Sequence, residues 1–569
     1  AAAGLPAARG EGFLVASDAP PAVSAESYIA EQSEALQAAL AEVTACAAGG
    51  RATSREAVRR TVLPIWRTMP KNRHDRVEWK SLRYIAHRYF MQEFAVLVRG
   101  LEPLRRVNES RAGGAELLLQ QVPSLAERLV NASGARHGFS LEDVVATIAA
   151  LEHLVFESER SELEALWSFK GWNPHSVVSH SHLQNLMREY IVYWLNSGDE
   201  EGARMLMSEE RYLNEHIPHW TLLNAMMKGS VTTAEFAKRR HPSVGDGRAI
   251  FDARHDFEDA LDIVKGVARS FASFWEGQCQ NIKESLAVMD TMGTGRVTLA
   301  DFYGANKEGE WRFGESEEYL RELGALDESS PWRGTQVIIS NYLQAASNCI
   351  ISREKYLVCC VNECEGILGD IEAAVGGPVA SPGAILEVVE NMTTDEDEAI
   401  DLSGTLREQL RRVADSHGGK VPLHGRLFAQ WLHFVFPREC VFPHRAGAAS
   451  ATTPLEFGDN YGISPDEVEQ RVAESVIQED LKHDLGSAPA RAEALGWMTQ
   501  WSEEEDLPGD YSTQLRAPWD RSRFRVLGGA AAAAACVVGL LWAAGGKAGE
   551  IGPHGPAAAP VPATKVYSV

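Results

Sequence analysis

Positive charge is what this 569-residue chain has little of: 55 Lys and Arg stand against 79 Asp and Glu, a formal net charge of -24. That balance argues against general affinity for nucleic acid or anionic lipid and makes cations the more natural partners. Strand-like alternation is nearly absent, which excludes a sandwich or barrel as the organising architecture. No GxSxG, GxxxxGK[ST], HExxH or dinucleotide glycine set occurs, so the local signatures of several large enzyme classes are missing. The chain opens on AAAGLPAARG, with neither an initiator Met nor an apolar leader. It is therefore expected to be a processed or truncated product whose targeting signal is not in view.

Long apolar runs are missing too, with one exception. Val526 to Gly545 reads VLGGAAAAAACVVGLLWAAG between Arg525 and Lys547. At the helical rise, twenty uncharged residues span roughly 30 Å, one bilayer core. The expectation is a single C-terminal transmembrane helix; the competing reading is a buried Ala-rich helix.

What is present in quantity is helical patterning. AESYIAEQSEALQAALAEVTACAA, RVEWKSLRYIAHRYFMQEFAVLVRG and SHLQNLMREYIVYWLNSG carry apolar residues at intervals of three and four. The expected fold class is all-α: a multi-helix body with one membrane helix. The expected division is a disordered N-terminus (1–23), a helical domain (24–250), a second helical domain (251–445), a linker with C-terminal helices (446–525), the span (526–545) and a disordered tail (546–569). Residues 376–383 (GGPVASPG) and 446–454 (AGAASATTP) are the linker candidates, and Asp395 to Asp401 (DEDEAID) is expected to be a solvated loop.

The strongest local motif is DTMGTGRVTLAD, Asp290 to Asp301, behind a long amphipathic segment. Calcium takes oxygen ligands at loop positions one, three, five, seven, nine and twelve, with Gly at six for the sharp turn. Here Asp290 opens the loop, Thr294 offers a hydroxyl, Gly295 makes the turn and Arg296 offers its carbonyl. Thr298 acts through water and Asp301 closes the loop. Over some forty residues this segment resembles the EF-hand family. It departs at Met292, which has no hard oxygen, and at Asp301, where a longer Glu gives bidentate ligation. Calcium binding is thus expected at the weak end, roughly 10⁻⁴ to 10⁻³ M or weaker. The alternative is an ion-free turn joining two helices.

A degenerate second copy is read in VADSHGGKVPLHGRLFAQWL, Val413 to Leu432, with Gly419 matching Gly295 and Val421 matching Val297. A fainter third is GARHGFSLEDVV, Gly134 to Val145. Pairing of the Asp290 loop with one of them is the expectation, since such loops work in twos.

Eight cysteines are few for the length. Five of them cluster: Cys349, Cys359, Cys360, Cys364 and Cys440. The expectation is two disulfides among these five, with Cys359 and Cys360 joined to different partners, while Cys46, Cys279 and Cys536 stand apart. The histidines His175, His180, His182, His216 and His219 crowd together without metal-ligand spacing and are expected to cap helices or pack in the core.

Over most of its length the chain resembles uncharacterised algal membrane proteins with an EF-hand-like segment, on EWKSLRYIAHRYFMQ, GFSLEDVVATIAALE, NYLQAASNCI and VPLHGRLFAQWLHFVFPREC. The resemblance brings domain limits and no activity. The functional expectation is a non-catalytic, membrane-anchored, calcium-linked interaction or scaffold protein with an unidentified protein partner and no nucleic acid. The alternatives are a structural subunit without ion binding and an enzyme in a helical cleft. Sequons at Asn108, Asn131 and Asn391, with the clustered cysteines, favour a glycosylating, oxidising space for the body and a cytosolic tail. Arg516, Arg521, Arg523 and Arg525 ahead of the span pull the other way, but long domains translocate largely regardless of charge.

Overall fold

A computed structural model describes residues 55–102, 138–196, 200–217, 220–240, 254–305, 313–329, 334–351, 355–392, 402, 404–464, 466–468, 471, 498 and 500–515. The expected span 526–545, both termini, the acidic run at 395–401, His219, Cys46, Cys536, Asn108 and Asn131 lie outside these residues. Among the described residues no helix is long and apolar enough to cross a membrane.

One arrangement recurs along the described chain. A helix runs into a tight turn, a residue or two of extended chain follow, and a second helix starts. Two such units then face each other through antiparallel extended segments. In the first pair, α1 (Arg55–Thr68) and α2 (Trp79–Phe94) flank a turn ending at Val77. β1 (Val96–Val98) trails α2, and Val77 bridges Phe139, which leads into α3 (Leu141–Val155). The second pair begins with α4 (Glu157–Phe169), β2 (Val178–Ser179) and α5 (His180–Leu195). After α6 (Glu200–Ser208) and α7 (Glu210–His216), it closes with α8 (Trp220–Arg240), β3 (Arg254–His255) and α9 (Phe257–Lys265). Val178 stands opposite His255, and Ser179 opposite Arg254.

The third pair runs from α10 (Val267–Met289) through β4 (Arg296–Thr298) to α11 (Leu299–Gly304). It returns as α12 (Glu317–Glu322), β5 (Leu326–Asp327), β6 (Gln336–Ile338) and α13 (Ile339–Leu343). β6 lies between β4 and β5, with Val297 opposite Val337. A hairpin of β7 (Ile350–Ile351) and β8 (Tyr356–Val358) then pairs with β1, tying the first pair to the middle of the chain. In the fourth pair, α14 (Glu363–Val375), β9 (Val379–Ala380) and α15 (Pro382–Glu390) face α16 (Gly404–Ser416), β10 (Val421–Pro422) and α17 (Arg426–Val435). Val421 stands opposite Ala380. Two short helices follow, α18 (Pro454–Phe457) and α19 (Ser512–Leu515).

Local sequence explains the recurrence. Residues two before the bridging position take the left-handed conformation in three of the turns: Asp75, Gly295 and Gly419, with φ of 56, 69 and 89°. The next helix is started by a side-chain cap, because Ser140, Ser179, Asp256, Thr298 and Ser381 each accept a hydrogen bond from the amide three residues on. Each helix then buries one stripe, such as Val58, Val62, Ile65 and Trp66 on α1 or Leu406, Leu410, Val413 and Ala414 on α16.

The first two pairs share one apolar core, and the third and fourth pairs have one each. The first core reaches from Val58 to Ala272, so the boundary expected at 250 and 251 falls inside the second pair. Neither expected linker is one. GGPVASPG is the turn, strand and helix start of the fourth pair, with Ser381 capping and Pro382 at the first helical position. AGAASATTP packs on the third pair, where Tyr319 Oη donates to Thr452 O at 2.8 Å and Ser450 Oγ to Glu322 at 2.6 Å. Small and turn-forming residues mark tight backbone approach here, and composition alone does not tell that from a flexible connection.

A buried charge network holds the first pair to the fourth. Arg88 of α2 pairs with Glu365 at 2.6 Å and with Glu372, whose carboxylate also meets Thr68 at 3.1 Å and His424 at 3.3 Å. His424 is held well below the usual imidazole value, by burial first and then by Arg88.

Candidate functional site

Two places in this frame concentrate polar chemistry. The first is the Asp290 loop. Asp290 ends α10 and is 4% exposed. Its carboxylate accepts from the amides of Thr294 at 2.9 Å and Gly295 at 2.8 Å, and from Arg438 Nε at 3.1 Å. Arg296 turns its side chain inward, where Nε donates to Asp327 Oδ2 at 2.7 Å with both groups buried, and Nη1 donates to Thr294 O at 3.0 Å. Thr298 and Asp301 form a separate group at the start of α11: Thr298 Oγ donates to Asp301 Oδ2 at 2.6 Å and accepts from the Asp301 amide at 3.1 Å. Met292, at the third loop position, is exposed. The five expected residues therefore divide among three internal contacts: a loop closure, an ion pair and a helix cap.

The loop's partners differ from those expected. β4 pairs with β6 of the adjacent unit, whereas Val421 of the Val413–Leu432 copy pairs with Ala380 and Phe139 of the third copy bridges Val77. The Asp290 loop and the Val413–Leu432 copy each form a turn followed by an extended segment, while residues 134–137 of the third copy lie outside the described residues. The partner of each loop is the nearest neighbour in the chain, because adjacent units need only a short connection to meet.

The tail of the fourth pair clamps this loop. Gly295 sits so close to Pro437 that a Cβ there would lie 2.3 Å from Pro437 O, so glycine is required for space as well as for its positive φ. Ser340 Oγ donates to Pro437 O at 3.2 Å, Arg438 meets Asp290, and Glu439 meets Lys283 of α10 at 3.1 Å. Cys440 then bonds Cys364 of α14. Four consecutive residues thus hold the Asp290 loop, α10, α13 and α14 together.

Disulfides continue the clamp. Cys349–Cys359 closes the β7–β8 hairpin and Cys279–Cys360 ties the chain after β8 to α10. Three bonds form rather than two, all five clustered cysteines take part, and Cys279 does not stand apart. Helical placement brings it across 81 residues to Cys360. The neighbours Cys359 and Cys360 do join different partners, as their adjacency requires.

The second place is the second pair's bridge. His180 Nδ1 lies 2.6 Å and His255 Nε2 lies 2.9 Å from the same oxygen, Glu235 Oε1. His255 Nδ1 lies 3.9 Å from Asp259 Oδ2 on the other side. Burial raises the Glu235 carboxyl, but the hydrogen bonds from His180 and His255 outweigh it and leave the group below its usual value. The ligand atoms of His180, Glu235 and His255 lie within 4.8 Å of one another, the one such trio among the described residues. His182 and His216 do behave as expected, bonding Ser179 Oγ at 3.0 Å and Tyr212 O at 3.0 Å near their own helices. His180 does not, and Glu235 and His255 carry no local spacing that would single them out. The only hint in the sequence is His255 four residues ahead of Asp259.

No known protein family, no curated protein and no solved structure matches the chain.

Proposed function

We propose that this is an interaction scaffold: a stiff body of paired helix–turn–helix units of the EF-hand-like kind, held in a lumenal or extracytoplasmic space by the apolar segment Val526–Gly545. Three disulfides support the oxidising compartment. In this reading the Asp290 loop is a structural joint, since Arg438 supplies the positive charge that an ion would bring.

The observation that carries the scaffold reading is where large apolar side chains remain in water. Of the ten large apolar side chains left exposed among the described residues, five (Phe169, Val177, Met205, Leu222 and Phe236, 54 to 74% exposed) belong to the second pair and its α6 insertion, while Val288, Met292, Val361, Leu455 and Tyr461 are spread over the rest. Exposed apolar residues gathered on one part of a body mark contact surfaces, whereas scattered ones are ordinary. A photo-crosslinking amino acid placed at Phe169 or Phe236 of the membrane-bound chain should give one discrete protein adduct, whereas the same group at Leu455, 84% exposed on α18, should give none. Equal labelling at the three positions, or none at any, would defeat the reading.

A further inference from the structure

The geometry points to a zinc site at His180, Glu235 and His255, formed where the second pair's two units meet. Nothing in the scaffold reading requires it.

Backbone register supplies the first part. Val178 and His255 face each other across the β2–β3 bridge, and His180 opens α5 two residues beyond Val178, which brings both imidazoles to one oxygen of Glu235. α8 packs against α5 and brings Glu235 to that point. Three elements thus aim three ligand-capable atoms at one point: Nδ1 of His180, Oε1 of Glu235 and Nε2 of His255.

The donor set supplies the second part. Two imidazoles and one carboxylate suit a borderline divalent ion, and they are the three-ligand complement of zinc sites that keep a fourth position for water. Ligands at about 2.1 Å in a tetrahedron stand about 3.4 Å apart. The present separations from Glu235 Oε1, 2.6 and 2.9 Å, are shorter than that value, and all three ligand atoms lie within 4.8 Å of one another. His255 and Glu235 are 2 and 11% exposed at their side chains, while His180 is 39% exposed, so water reaches the cluster from the His180 side. Asp259 Oδ2, 3.9 Å from the far nitrogen of His255, stands on the side where a small approach would let it accept the Nδ1–H hydrogen bond and fix the tautomer once Nε2 holds a metal. Charge closes as well: the ion's two positive charges meet one carboxylate in the first sphere and a second at Asp259. Zinc stands above manganese, iron and cobalt in affinity for such donors, and copper, which stands above zinc, prefers tetragonal sites over a tetrahedral one.

The test uses the full-length chain in detergent, stripped with a chelator, its disulfides intact and any free thiols alkylated. Zinc is titrated in competition with a chromophoric chelator. One equivalent should bind, raise the melting temperature and release protons. His180→Ala, at the exposed ligand, should weaken zinc about 100-fold or more, and Asp259→Asn about 10- to 100-fold. Glu235→Gln, which keeps the shape and can still bond both rings, should abolish stoichiometric binding while the apo protein melts near wild type. Cobalt in place of zinc should show the intense visible bands of a four-coordinate site. Absence of stoichiometric binding, zinc affinity indifferent to His180→Ala and Glu235→Gln, or a preference for ferrous iron over zinc would each overturn the assignment. The first two results would leave the trio as a hydrogen-bonded joint.

Discussion

Glu315 shows how one side chain can set a pH dependence for the whole body. It is 6% exposed, and Tyr342 Oη donates to its carboxylate at 3.0 Å. Burial dominates over the hydrogen bonds from backbone and Tyr342 and pushes the carboxyl up to about 7 from the usual 4.5. A carboxyl raised in the folded state is stabilising while protonated. Its contribution is complete below about pH 4.5 and is lost as pH rises through 7, a swing of about 3 kcal/mol. Urea midpoints of the wild type should therefore fall between pH 5 and 8, and Glu315→Gln, which still accepts from Tyr342, should flatten that part of the slope. Identical slopes in the two proteins would place the pH dependence elsewhere.

At the scale of the element, the Asp290 turn is instructive because its residues match an ion-binding pattern while its contacts are all internal. Asp290→Ala removes the acceptor of two amides and the carboxylate that pairs with Arg438 Nε. Loss of a buried charged acceptor of this kind should lower stability by about 2 to 4 kcal/mol. Millimolar calcium should leave the wild-type melting temperature unchanged, because the ion would have to displace Arg438. A calcium-dependent rise in the wild type that is absent in Asp290→Ala would restore the ion-binding role and with it the calcium-linked reading.

At the scale of the whole described body, three disulfides add to what the apolar cores supply and bear on the proposed address. Two of them close loops of 81 and 76 residues and the third closes one of 10. In the chain-entropy account each long loop is worth about 4 kcal/mol and the short one about 3, with reduced additivity because the loops overlap. Non-reducing peptide mapping of the chain taken from its native source should return Cys279–Cys360, Cys349–Cys359 and Cys364–Cys440. Asn391 is exposed at the end of α15, open to a glycan. Glycosidase should therefore shift the band, and protease added to sealed vesicles should spare the body. Six free thiols together with digestion of the body would place it in the cytosol.

Helix content, the turns at Gly295 and Gly419 and the separate partners of Cys359 and Cys360 were legible in the sequence. Each depends on neighbours within a few positions: a 3.6-residue stripe, a glycine two ahead of an apolar residue, two cysteines too close to join. Thr298, read as an ion ligand, is instead the cap of α11. Which units face each other, the arrival of Cys279 at Cys360, the capture of Asp290 by Arg438 and the meeting of His180, Glu235 and His255 were decided only by tertiary structure. Those contacts join residues 20 to 148 positions apart. Packing of helix stripes, which no local spacing encodes, determines what comes within reach of what.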